Sequence, residues 1–143
     1  MRDLMNDIHP KVAIAPVVAT DNTALVGLDI DRTGYDSLTF VLGMGTLADV
    51  DATFAVLVEH ADDNGSGAAG SYAAVADEEL VGTEALAGFT FAADNACRKI
   101  GYIGGKKWCR ITVTPSGNTG NAPIAALAIL GHPSVKPTAN PPA

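Results

Sequence analysis

Charge is scarce in this sequence. Charged residues make up 17% of it, against about 25% in an average soluble domain. Much of the exterior must therefore be Ala, Gly, Ser, Thr and Asn, a composition suited to contact with other protein. A bias of the source toward Ala and Gly would give the same composition. Basic residues are the scarcer sign, 9 Lys and Arg against 16 Asp and Glu, for a net charge of −7. That balance counts against phosphate backbones and anionic lipid as partners, so neither nucleic acid nor membrane is expected. Long apolar runs are missing too. The longest, residues 123–131, falls well short of the roughly 18 residues that a span requires. The first nine residues scatter Arg2, Asp3 and Asp7 among Leu4, Met5 and Ile8 and hold no apolar targeting core, so folding in a cytoplasm is expected. Only two cysteines occur, Cys97 and Cys109. A hairpin turning at Gly104-Gly105 would leave them about three positions out of register, beyond disulfide reach, so both are expected as free thiols. Neither has the Cys or His neighbours of a zinc site.

What is present is core material and turn chemistry. The 143 residues are 48% hydrophobic, enough for one domain with its own core. Short apolar runs cut by turn residues read as strands over 11–20, 24–30, 36–44, 53–60, 72–75, 98–103, 107–114 and 124–130, with a short one hinted at Phe89 and Phe91. Residues 98–103 and 107–114 read as a hairpin. Residues 124–130 could be helical by propensity, but their length suits a strand. Both faces of that strand are apolar, so it should be central in its sheet or covered outside by a partner. About eight such strands indicate an all-β fold, a single-domain β-sandwich or jelly roll with extended N- and C-terminal arms. The division is an N-terminal arm (residues 1–10), the sandwich (11–132) and a Pro-rich tail (133–143).

Motifs for chemistry fail one by one. His9, His60 and His132 stand in no recognisable catalytic setting. Residues 62–67 open like a calcium loop, but the bidentate glutamate position falls on Ala73. Residues 117–120 lack the ending of a phosphate loop. Glu78, Glu79 and Glu84 have no evident acid–base partner. No catalytic residue, cofactor or metal is expected. The basic clusters, Arg98-Lys99 and Lys106-Lys107 with Arg110, are either solvated turn flanks or a small patch for a carboxylate-rich partner. A carbohydrate-binding module is an alternative, but Tyr35, Tyr72, Tyr102 and Trp108 make few platforms. The candidate partner-contact residues are Leu4, Met5, Ile8 and His9 of the arm together with Tyr35, Tyr102 and Trp108. Leu4, Met5 and Ile8 could equally fold onto their own domain.

Several stretches carry a resemblance. They are residues 2–10 (Arg-Asp-Leu-Met-Asn-Asp-Ile-His-Pro), 20–24, 31–40, 98–104 (Arg-Lys-Ile-Gly-Tyr-Ile-Gly), 111–115 (Ile-Thr-Val-Thr-Pro), 122–125 and 130–133. Together they resemble the capsid cement, or decoration, proteins of tailed phages and prophages, along nearly the whole chain. The glycine-rich loop at residues 65–70 looks longer than that family's. The resemblance implies a jelly-roll-like structural protein on the outside of a phage head, clamping neighbouring major capsid subunits. It implies a virion location and the major capsid protein as partner. Apolar strands with few charges add an expected homodimer or homotrimer. Another virion part, such as a tail- or fibre-associated β-domain, is the alternative from the same class.

Overall fold

The computed structural model describes residues 3–142. Eleven strands build two antiparallel sheets that face each other across one core. The first sheet has the order β1 (Ile8–Ala19), β11 (Ala122–Pro133), β4 (Tyr35–Met44), β9 (Cys97–Tyr102), β7 (Leu80–Val81). The second has the order β2 (Leu25–Val26), β10 (Trp108–Ser116), β5 (Thr53–Ala61), β6 (Ala73–Ala74), with β3 (Ile30–Asp31) paired to β10 and β8 (Phe89–Thr90) paired to β5. The domain is thus an all-β, jelly-roll-like sandwich. One helical turn, α1 (Glu84–Ala87), is capped by the Thr83 hydroxyl, which accepts from the Leu86 N–H.

Alternation dictates which side chains enter the core. On β4, Leu38, Phe40, Leu42 and Met44 point inward; on β5, Phe54, Val56 and Val58; on β10, Ile111 and Val113. β11 contributes Ala126 and Ala128, paired with Leu42 and Phe40. Small residues beside large ones let the layer fill at native density. Phe54 and Phe89 stack with ring centroids 4.8 Å apart. β11 lies between β1 and β4, which meets the expectation for a strand with two apolar faces.

The segment read as one strand over 24–30 is split. Gly27 donates to Ile111 O at 2.8 Å and Leu28 donates to Ala13 O at 2.7 Å, so this stretch ties the two sheets together along one side. A Cβ at Gly27 would sit 2.4 Å from Ile111 O, so only glycine permits the crossing. β1 is bulged around Ala13, with register shifts between Val12 and Ile14 and again before Val17.

The hairpin expected at Gly104-Gly105 does not form. β9 pairs with β4 and β7, whereas β10 pairs with β5, β2 and β3 in the opposite sheet. Residues 103–107 cross between the sheets. Neither Gly104 nor Gly105 has the positive φ that a type I′ turn requires at both central positions. The Arg32 guanidinium holds the crossing by donating to Gly104 O (2.9 Å) and Lys106 O (2.7 Å). Both cysteines are free, as expected, but the reason differs. Cys97 is exposed on β9 and Cys109 is buried on β10 in the other sheet.

The termini also differ from free arms. β1 begins at Ile8, so Ile8, His9 and Pro10 pair with Gly131, Leu130 and Ile129. Residues 3–7 remain outside the sheet, and Met1 and Arg2 lie outside the described residues. The tail folds back onto this segment. The Thr138 N–H donates to Asn6 O (3.1 Å), its hydroxyl donates to Ile8 O (2.7 Å), and Lys136 forms an ion pair with Asp7.

Candidate interaction surface

The strand register collects the candidate contact residues at one end of the sandwich, though not all on its surface. Leu4 and Met5 are 68% and 61% exposed. With Ile8 and Pro10 they line one side of a groove of about 400 Å³, closed on the other by Ala139, Asn140 and Pro142. Tyr35 and Trp108 are half-buried. The Trp108 indole N–H donates to Asp63 Oδ2 at 3.4 Å.

His9 and Tyr102 do not belong with contact residues. His9 alternates inward from β1, is buried, and packs its ring 5.5 Å from that of Tyr35. Tyr102 is 1% exposed. Its hydroxyl lies 2.9 Å from His60 Nδ1 and accepts from the Lys106 N–H at 3.1 Å, while the Arg32 guanidinium sits 4.7 Å over its ring. Burial pushes the Tyr102 phenol up to about 12, and burial likewise raises the Cys109 thiol to about 12. This cluster braces the end of the core; at neutral pH its thiol and phenol stay protonated.

One hydroxyl–imidazole pair reaches the surface, Ser37 Oγ to His132 Nδ1 at 2.9 Å. Among the described residues no carboxylate bonds the other imidazole nitrogen, so the orienting member of an acyl-transfer triad is missing. Nor do three or more His, Cys, Asp or Glu side chains among the described residues gather as a metal site.

The feature that sequence reading caught only in part is the outer face of the first sheet. Register places Val12, Leu127, Val41 and Lys99 side by side across β1, β11, β4 and β9. The next row is Pro10, Ile129, Thr39, Gly101 and Val81. Val12 and Leu127 are 44% and 43% exposed. Among the described residues, no ion pair involves a residue of these five strands. The apolar character of both faces of β11 was legible in the sequence. That β1 and β4 extend it was not, because pairing order is a long-range property.

The outer face of the second sheet is built differently. Glu59 takes two hydrogen bonds from Arg110, Nε at 2.8 Å and Nη2 at 3.2 Å. The Arg110 guanidinium lies 4.0 Å over the Tyr72 ring, and the Tyr72 hydroxyl donates to Asp29 at 2.7 Å. Burial, reinforced by Asp29, raises the Tyr72 phenol. Beyond the strand ends, Lys106 pairs with Asp62 (2.9 Å) and Lys107 with Asp63 (2.8 Å). The Lys107 ammonium, with the Gly65 and Gly67 N–H groups, holds the Asp63 carboxyl well below the usual range.

No protein-family model matches the chain. No curated protein matches it in sequence. Similar folds occur among solved structures of virus particles. A chain of infectious bursal disease virus, Gx strain, superposes with a TM-score of 0.52 at 11% identity, covering 87% of this chain and 32% of its own. A chain of the infectious bursal disease virus VP2 subviral particle superposes at 0.53 and 12% identity, covering 91% and 33%. The present chain therefore spans about a third of the length of those it matches, and the likeness is one of fold.

Proposed function

We propose that the chain is a structural virion protein without catalytic activity, a cement that binds the outer surface of a phage head and clamps neighbouring major capsid subunits. One observation carries this reading: the outer face of the five-stranded sheet is apolar, and no ion pair reaches its strands. A monomeric domain that faced water on all sides would charge such a face. The likeness to chains of virus particles supports the same class of role, as does the resemblance to cement proteins.

The physical mechanism is linkage. A protein that binds the assembled lattice and not its dissociated subunits stabilises the lattice by mass action. Many identical sites on one shell add their effects through multivalency. The sandwich is a stiff block, and the clasped termini present Leu4 and Met5 beside the sheet at one end. Purified virions provide the test. The chain should be present in a fixed ratio to the major capsid protein, and added protein should raise the melting temperature of shells that lack it. Deleting residues 1–7, which leaves β1 whole but removes the Asn6 and Asp7 contacts with the tail, should weaken shell binding with only a small fall in the melting of the isolated domain. Absence from virions would end this reading.

A further inference from the structure

The two ends of this chain hold each other. Residues 3–7 precede β1 and form one 3-10 turn over Met5–Asp7, with no side-chain cap at its start and no buried residue. Its own hydrogen bonds are local: the Asn6 N–H donates to Asp3 Oδ1 at 3.2 Å, and the Asp7 N–H donates to Leu4 O at 3.1 Å. A turn this short is not stable alone, and the first residues of a domain stay poorly ordered unless tied down. The tie comes from the far end of the sequence. Thr138 donates its N–H to Asn6 O and its hydroxyl to Ile8 O, and that hydroxyl also lies 3.4 Å from Met5 O. Two residues earlier, Lys136 pairs with Asp7. Ala139, Asn140 and Pro142 then face Leu4, Met5 and Ile8 across the groove. The tail is anchored before it arrives there: Pro133 pairs with Tyr35 at the end of β11, and the Ser134 N–H donates to Gly34 O at 2.9 Å. Four prolines among residues 133–143 stiffen it. The tail does little for the domain's own core, since none of residues 134–142 is buried and Val135 is 76% exposed.

We propose that residues 134–142 are a clasp that holds Leu4 and Met5 in the conformation in which they meet the shell, with Thr138 and Lys136 as its positioning residues. The inference rests on the proposed function, in which residues 1–7 contribute to shell binding. A segment that orders only on binding loses part of its contact free energy to that ordering. Here the tail orders the segment in the isolated chain, so the two apolar side chains are presented in advance. The Lys136–Asp7 ion pair is the weaker half of the clasp, because salt screens an exposed pair. Thr138, which satisfies two carbonyls at the start of the chain, is the stronger half.

Hydrogen exchange and shell binding together test it, on the full chain and on capsid shells lacking it from the virus that encodes it. In Thr138→Val with Lys136→Gln, the Asn6 and Asp7 amides of the isolated chain should exchange at least about tenfold faster. Thermal melting should move by less than about 2 °C, since both substitutions are at the surface. Shell affinity should fall about tenfold. Deleting residues 134–143 should act in the same direction and further. Lys136→Arg keeps the ion pair and should recover what Lys136→Gln loses. In a chain that lacks residues 1–7, Thr138→Val with Lys136→Gln should change shell affinity by less than about twofold, because the segment they position is gone. An equal loss in that shortened chain would mean that the tail itself touches the shell, and tighter binding by the tail variants would mean that it shields Leu4 and Met5. Either result overturns the inference, as do unchanged exchange at Asn6 and Asp7 and shell affinity indifferent to the tail. Affinity indifferent to the tail leaves the cement reading standing; no shell binding by the unaltered chain removes both.

Discussion

The two outer faces of the sandwich share a backbone architecture and differ in how their side chains are satisfied. On the second sheet, Glu59, Arg110, Tyr72 and Asp29 answer one another within the chain. On the first, Val12, Leu127, Val41 and Ile129 leave apolar area open, and Lys99, in the row of Val41, makes no ion pair among the described residues. A face whose polar groups are internally paired contributes to stability and has little left to offer a partner. A face left open contributes little to folding, and its free energy becomes available on association.

The comparison can be broken most severely from between the faces. Phe40→Ala empties the centre of the shared core and should cost about 3–5 kcal/mol, read as a fall in the urea midpoint. Both faces should fail together, since each sheet is the other's support. The next largest effect belongs to the second sheet. Glu59→Ala leaves the half-buried Arg110 without its acceptor and should destabilise by about 1–2 kcal/mol, with shell binding by the folded fraction unchanged. If that substitution weakened binding as much as stability, the two faces would not be functionally distinct.

Leu127→Thr and Val12→Thr should show the reverse pattern. Threonine keeps the strand preference, so stability should move by less than about 0.5 kcal/mol. Shell affinity should drop by about 1 kcal/mol for each, since roughly half of each side chain remains to be buried. The smallest effect is electrostatic and lies off both faces. The Asp63 carboxyl is depressed in the folded state, so its contribution is present above the unfolded value of about 3.9 and lost as pH falls toward the folded value. Asp63→Asn should be less stable at neutral pH. Its deficit against the unaltered chain should shrink steadily below pH of about 4, measured by thermal melting across that range.

Much of the architecture was legible residue by residue. The apolar runs over 36–44 and 53–60 marked two strands, which form as Tyr35–Met44 and Thr53–Ala61. The double-sided apolar pattern of residues 124–130 marked a central strand, and β11 is one. The candidate contact residues divide once the structure places them. Leu4 and Met5 are exposed, but His9 and Tyr102 are core, because the register of β1 against β11 and the crossing after β9 turn them inward. An aromatic residue near a glycine pair reads the same whether the chain reverses within one sheet or passes to the other.

By itself, then, the sequence determined the class of fold, the position of the main apolar strands and the poverty of charge, because each follows from local composition and a period of two. Only the tertiary structure decided which strands are neighbours. That choice separated Cys97 and Cys109 into different sheets, clasped the tail over residues 5–8, and aligned Val12, Leu127 and Val41 into one open face. Strand order is a contest among many long-range pairings that bury similar apolar area. It is settled by bulges, by the Gly27 crossing and by the Arg32 tether, and each of these acts between residues far apart in the chain.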